Sequence, residues 1–361
     1  MIRIGNGTYV PVMRWKGAER LALRAISKDI RRRIVPLIEL VPKDFVPLAE
    51  AGAIQKFGKQ LAETCGWGPA APVLLDTHLL GNAMGTAVIR PMVDAAVAYN
   101  VAGAVVTRLG FSENHWAAVH DATAGSGFEL CVRVSPFEFR QAGFPSSLID
   151  TVDRLRSSPS NIHLIIDFGA VAPNGINLRP WLDTTPRLSD WRSVTFLVGA
   201  FPKDLAELEK KEQHELPRGD WDSWQDLAAT LPPRLPAFGD YTIQHGAFEE
   251  REGKHFNFSA SIRYATPSGW IVMRGEGVLN EDGPGYAQWP ANAQLLVERS
   301  EFKGAGYSWG DTYMSDMAGQ IAKTGSAKEW LAAGINHHIT VVANQLLEVR
   351  TRAVATSRGE S

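Results

Sequence analysis

Three carboxylates, Glu39, Asp76 and Asp167, each stand at or next to the end of a short apolar run. Arg108 and Arg133 stand at the ends of two more such runs, and Lys16 follows a sixth. Clustered Asp and Glu can hold a hard divalent ion such as Mg while Arg and Lys clamp phosphate oxygens, an arrangement suited to phosphoester chemistry. Alternatively, one carboxylate, its pKa raised by its neighbours, can act as acid or base while the arginines orient an anionic substrate. Both readings assign Glu39, Asp76 and Asp167 the catalytic role and Lys16, Arg108 and Arg133 the anion. Both also point to a substrate bearing phosphate or carboxylate. The bland alternative is a salt-bridge network that only fills a barrel lumen.

These residues can work together only if their elements converge. Eight apolar runs are read as strands: Tyr9–Trp15, Ile34–Leu40, Pro72–Asp76, Gly103–Arg108, Phe128–Val134, His163–Phe168, Val194–Gly199 and Tyr241–His245. Helical patterns separate them at Ala18–Arg33, Pro47–Cys65, Gly85–Tyr99, Glu113–Ala124, Ser146–Arg156, Pro180–Trp191 and Lys203–Lys211. Strand–helix alternation implies parallel pairing through right-handed crossovers. Eight such units close most naturally into a (βα)8 TIM-like barrel, with a doubly wound open sheet as the alternative. Period-two alternation puts Val35, Leu37 and Glu39 on one face, as it does Leu74 with Asp76 and Ile165 with Asp167. Barrel chemistry gathers at the carboxyl ends of strands, so the charges are expected to converge on a shared cavity there. His245, ending the eighth run, joins them as a ligand-binding candidate.

Beyond the eighth run the pattern changes. Phe256–Tyr264 and Trp270–Gly275 read as a β-hairpin, followed by a Gly- and aromatic-rich loop from Gly283 to Gly310. Residues 248–310 are therefore expected as an insertion covering the mouth of a single domain, 1–350. A long C-terminal helix closes the domain, and residues 351–361 are expected as a disordered tail. Trp270, Trp289 and Trp309 crowd the insertion, where they can stack a base or cover apolar surface. Trp309 lies in the charged, aromatic stretch Arg299–Asp311, read either as a lid or as a capped helix start. His337 and His338 are adjacent, so on a helix they diverge and cannot easily share a metal; one of them can face the mouth.

Composition narrows the classes. Among 361 residues, 37 Lys and Arg nearly balance 39 Asp and Glu, giving a net charge of −2. No global attraction to nucleic acid or an anionic membrane follows, so any anion-binding surface must be local. Cys65 and Cys131 have no metal or disulfide spacing and read as buried thiols of a reducing compartment. The opening MIRIGNGTYV has no apolar h-region, so a cytoplasmic protein is expected and a membrane partner is not. Phosphate-loop, dinucleotide, His-Glu-x-x-His and Gly-x-Ser-x-Gly motifs are all missing, which disfavours the usual ATP hydrolysis, dinucleotide binding and serine hydrolysis.

Three segments carry a resemblance: Tyr9-Val-Pro-Val-Met-Arg-Trp-Lys16-Gly-Ala-Glu19, Ile34-Val-Pro-Leu-Ile-Glu39 and Gly334-Ile-Asn-His-His-Ile-Thr340. Together they resemble the phage-type "beta protein" family, from Tyr9 to about Arg350. Lys16, Glu39, Asp76 and His338 match positions of its pattern. The resemblance implies a setting in phage–host conflict and a nucleotide or nucleic-acid ligand, with no established reaction to carry over. The leading expectation is a barrel binding a phosphate-bearing ligand at its mouth, as a hydrolase if it is an enzyme. A non-catalytic module binding protein or nucleic acid through the aromatic insertion is the alternative.

Overall fold

The computed structural model describes residues 1–45, 52–68, 70–249, 257–320 and 324–358. Eight parallel strands close a barrel: β1 (Tyr9–Arg14), β2 (Leu37–Glu39), β3 (Val73–Asp76), β4 (Gly103–Thr107), β5 (Glu129–Val134), β6 (Ile162–Ala170), β7 (Ser193–Gly199) and, after the excursion of β8, β9 (Ala237–Asp240). The first and last barrel strands meet with Tyr9 opposite Phe238 and Pro11 opposite Asp240. β8 (Gln213–Pro217) instead joins the hairpin of β10 (Ile262–Ala265) and β11 (Gly269–Met273) in a three-stranded antiparallel sheet.

Alternation sorts the strand residues between two cores. One set fills the lumen: Val10, Val12, Leu37, Leu74, Val106, Cys131, Ile165 and Leu197 pack together there. The opposite set packs against the surrounding helices. A third cluster, including Tyr264, Ile271, Trp289 and Trp330, lies beneath the insertion. Both cysteines are free and buried, with burial pushing their thiol pKa values up.

Several boundaries differ from expectation. The eighth barrel strand is Ala237–Asp240, not Tyr241–His245. Its sequence holds only two apolar residues, and Gly239 is needed where a Cβ would lie 2.2 Å from Leu197 and 2.6 Å from the Val10 carbonyl. The apolar run after it is a turn: Asp240 accepts the Thr242 N–H at 2.7 Å, and Thr242 has φ of 59°. The expected helix Ala18–Arg33 breaks into Gly17–Arg24 and Lys28–Arg31, because Ser27 caps the second through the Ile30 N–H. No helix forms over Lys203–Lys211, where turns lead into β8, and Pro180–Trp191 shrinks to Arg179–Asp183. The expected Gly283–Gly310 loop contains a helix, Gln288–Val297. The last helix, Ala327–Arg358, runs past Arg350, while residues 359–361 of the expected tail, 47–51 of the second helical pattern and Phe256 lie outside the described residues. No described helix is long and apolar enough to cross a membrane.

Candidate functional site: a buried ion cluster beneath a basic cavity

At the carboxyl end of the lumen, one guanidinium gathers all three expected carboxylates. Arg133, on β5, donates through Nη1 to Glu39 at 2.8 Å and Asp76 at 2.7 Å, and through Nη2 to Asp167 at 2.7 Å. Nη2 also donates to the Tyr241 hydroxyl at 2.9 Å, and that hydroxyl donates to Asp167 at 2.7 Å. Inward alternation places each group there: Glu39 follows Leu37, Asp76 follows Leu74, Arg133 follows Cys131 and Asp167 follows Ile165. Arg108 lies 3.6 Å from Asp76, and Arg14 Nε lies 3.7 Å from Glu39. Three carboxylates therefore meet three guanidinia, Arg14, Arg108 and Arg133, with the His78 ring 3.0 Å from Asp76, so no added ion is needed to balance the carboxylates.

Burial alone would raise the carboxyl pKa values of Asp76 and Asp167, but the neighbouring charges win. Asp76 is held well below the usual range by His78, Arg108 and Arg133, and Asp167 is lowered by Arg133, the Tyr241 hydrogen bond and Arg108. Burial lowers the pKa of Arg133, yet its anionic neighbours raise it further still, while burial and Asp167 push Tyr241 up. Glu39, Arg133 and Asp76 are exposed by 2% or less. The cluster meets solvent through His78 and Arg108, whose side chains are 20% and 19% exposed.

Glu39, Asp76 and His78 bring ligand atoms within 4.8 Å of one another, as a metal site would. The donor set does not fit a divalent ion well. Arg133 Nη1 already occupies the space between Glu39 and Asp76, and a dication would unbalance the buried cluster.

Beside this floor lies a 490 Å³ cavity. Its cationic lining comes from Arg14 at the end of β1, Lys16 just beyond it, Lys43 after β2, Lys203 after β7 and Arg263 on β10, opposed by Asp204 and Glu249. Arg14 donates to the carbonyls of His245 and Gly246 at 2.9 and 3.0 Å, which ties the cavity's floor to the turn after β9. Lys16 sits 4.8 Å from the Phe248 ring centroid. His245 also lines the cavity; burial, Arg14 and Lys203 lower its pKa. The insertion supplies an aromatic wall, Phe258 and Trp289, with Trp330 of the last helix beside it.

A family model described as Beta protein matches residues 9–344. The chain belongs to the Beta protein family. No curated protein matches it. Among solved structures, it is similar to the tryptophan synthase complex from Pyrococcus furiosus, at 12% identity over 67% of this chain and 90% of that chain, with a TM-score of 0.38. A mutant tryptophan synthase alpha-subunit from the same organism gives 12% identity, 67% and 90% coverage, and a TM-score of 0.40. A GH138 enzyme targeting pectin rhamnogalacturonan II gives 10% identity over 66% of this chain and 34% of that chain, with a TM-score of 0.39. The barrel of this Beta protein rests on its own strand pairing, and these likenesses add nothing to its function.

The expected site residues thus fall into three places in the Beta protein. Glu39, Asp76, Asp167, Arg108 and Arg133 form the buried cluster. Lys16 and His245 line the cavity beside it. His338 and Trp309 belong to neither. His338 is fully buried outside the lumen, with Nε2 2.8 Å from Asp240 and Nδ1 accepting from the Trp270 indole at 3.4 Å. Trp330, nearer the start of the last helix, lines the cavity, whereas His338 lies two turns further on and turns its ring to Asp240 and Trp270. Trp309 opens helix Trp309–Met317, capped by Ser308, and packs against Tyr313.

Arg14, His78 and Tyr241 were absent from the expected set. The alternation Val10, Val12, Arg14 would have pointed Arg14 inward, and the sequence Asp76-Thr77-His78 places a histidine in the first turn beyond β3. Tyr241 was hidden by the misplaced eighth strand. Lys43, Lys203 and Arg263 carry no local pattern, because only the tertiary fold brings them to one cavity.

Proposed function

We propose that this Beta protein binds a phosphate-bearing ligand in the cavity at the carboxyl mouth of its barrel. One observation carries the reading: Arg14, Lys16, Lys43, Lys203 and Arg263 line a single cavity in a chain whose net charge is −2. Such a local excess of cations draws anions that the chain as a whole does not. Guanidinium and ammonium groups make their strongest hydrogen bonds to carboxylate and phosphate oxygens. The loops after the seventh and eighth barrel strands, which supply Lys203 and His245, lie where barrels commonly hold phosphate.

The buried carboxylates act here as a scaffold. Asp76 and Asp167 are ionised at neutral pH, and Arg133 engages both, so neither is poised to donate a proton. Their work is to fix Arg133 and, through Glu39, to orient Arg14. Phosphoester hydrolysis at these groups would require Arg133 to release them, so binding is the primary activity proposed. The insertion serves as one wall of the same cavity, because Phe258, Ser259, Ser261, Arg263 and Trp289 all line it. The family resemblance adds a setting in phage–host conflict.

Calorimetric titration of the full chain with inorganic phosphate and pyrophosphate, at two salt concentrations and with or without Mg, tests the proposal. Pyrophosphate is expected to bind, more weakly at high salt. The pair Lys16→Met and Lys203→Met is expected to weaken it at least tenfold. Absent binding at low salt, or binding indifferent to both lysines, rejects the reading.

A further inference from the structure

The cationic and aromatic linings of the mouth cavity lie on different segments of the chain. Lys16, Lys43 and Lys203 come from the connections that follow barrel strands, whereas Phe258 and Trp289 come from the insertion. Phe258 is 37% exposed, yet its ring packs on Trp289, with centroids 6.1 Å apart and planes 26° from parallel. Trp289 in turn stacks on Trp330 at 6.2 Å and 15°. A phenyl ring braced from behind by two indoles, with part of its surface in contact with solvent, is a rigid platform for a flat aromatic ligand.

A second observation points the same way. Trp289 is 1% exposed and lines the cavity, but its indole N–H meets no acceptor among the described residues. A buried donor left unpaired destabilises the fold, and a ligand acceptor within its reach would satisfy it. The volume of 490 Å³ lies within the range of about 300–1,000 Å³ that suits one small molecule.

We propose that the phosphate-bearing ligand is a mononucleotide, with its phosphate among Lys16, Lys43 and Lys203 and its base against Phe258 and Trp289. This rests on the reading of the cavity as a phosphate site and adds the base. The two anchors act independently: the lysines recognise charge, and the ring recognises a π-face of either purine or pyrimidine.

The test compares ribose 5-phosphate, adenosine, adenosine 5′-monophosphate and a short single-stranded oligonucleotide on the full chain, by calorimetry and tryptophan fluorescence. The monophosphate is expected to bind at least fivefold more tightly than ribose 5-phosphate and to quench fluorescence. Phe258→Ala is expected to erase that difference while leaving pyrophosphate affinity intact, and Phe258→Leu, which keeps an apolar side chain, is expected to do the same. Retained pyrophosphate binding in both variants shows that they remain folded. Equal affinity for ribose 5-phosphate and the monophosphate overturns the base site while leaving the phosphate site standing. No binding of either, or of pyrophosphate, overturns both. An oligonucleotide that binds while the monophosphate does not replaces the mononucleotide with a polymer.

Discussion

Arg14 Nε lies 3.7 Å from Glu39 Oε2, and the same guanidinium lines the basic cavity. The buried cluster and the open cavity thus share one side chain. Charge removed from Glu39 is felt in the cavity through Arg14, whose hydrogen bonds go to the His245 and Gly246 carbonyls. Glu39→Gln preserves shape while deleting one negative charge. At an effective dielectric near 20, a charge some 8 Å from a ligand contributes on the order of 2 kcal/mol before screening. The variant is expected to bind pyrophosphate about three- to tenfold more tightly by calorimetry. Unchanged or weaker binding would mean that Arg14 does not face the ligand.

Arg133 is the hub on which three carboxylates depend. Arg133→Met would leave Glu39, Asp76 and Asp167 buried together without their shared partner. Removing one partner of a buried pair commonly costs about 3–5 kcal/mol, and here three carboxylates lose it at once. Urea unfolding is expected to show a loss of at least that size, or no soluble protein at all. A variant within about 1 kcal/mol of the wild type would mean that water enters the floor freely.

The same cluster sets an acid limit. Asp76 and Asp167 have folded pKa values below their unfolded value of about 4, so their stabilisation is fully present above that pH. It is lost as pH falls through the folded values, when both must take up protons. Acid unfolding of Asp76→Asn is therefore expected to show a shallower loss of stability below about pH 4 than the wild type. Parallel curves would remove Asp76 from the ion cluster.

Asp220 behaves in the opposite sense. Burial pushes its carboxyl up to about 7, although Arg218 pulls it down, and its Oδ2 has no partner among the described residues. A carboxyl raised in the folded state contributes its stabilisation below the unfolded value of about 4 and loses it as pH rises to about 7. Asp220→Asn keeps an acceptor for the Trp221 N–H and cannot ionise. Its melting temperature relative to the wild type is expected to rise between pH 5 and pH 8. A constant difference across that range would refute a neutral Asp220 in the folded state.

Much of the barrel was legible because its signals are local. Apolar runs of strand length, six of them closed by a charge, identified seven strands, and period-two alternation put Glu39, Asp76 and Asp167 on the faces of Leu37, Leu74 and Ile165, which the structure turns inward. The eighth strand escaped because Ala237–Asp240 offers two apolar residues, a glycine required by close packing and an aspartate that starts the turn. The more apolar Tyr241–Ile243 beside it is the turn itself. β8 escaped because Gln-His-Glu-Leu-Pro alternates without burying much, and its partner strand, β11, lies some fifty residues away. The cavity's cations escaped for a related reason. Lys43, Lys203 and Arg263 are ordinary polar residues until the chain closes on itself.

His338 provides the last test, since it matches the family pattern without reaching the mouth. Its Nδ1 accepts from Trp270 and its Nε2 faces Asp240, so a neutral ring with its proton on Nε2 satisfies both contacts. Burial lowers its pKa, with the Asp240 carboxylate opposing, which agrees with that neutral form. Asp240 also accepts from the Tyr9 hydroxyl and the Thr242 N–H, joining β1, β9 and the last helix at the seam where the barrel closes. His338→Ala would strand a buried carboxylate oxygen and open a cavity, costing about 2–4 kcal/mol. Pyrophosphate affinity, measured below the variant's melting temperature, is expected to stay within twofold of the wild type. A selective loss of affinity with stability intact would place His338 in the ligand site after all, and the seam would need another explanation.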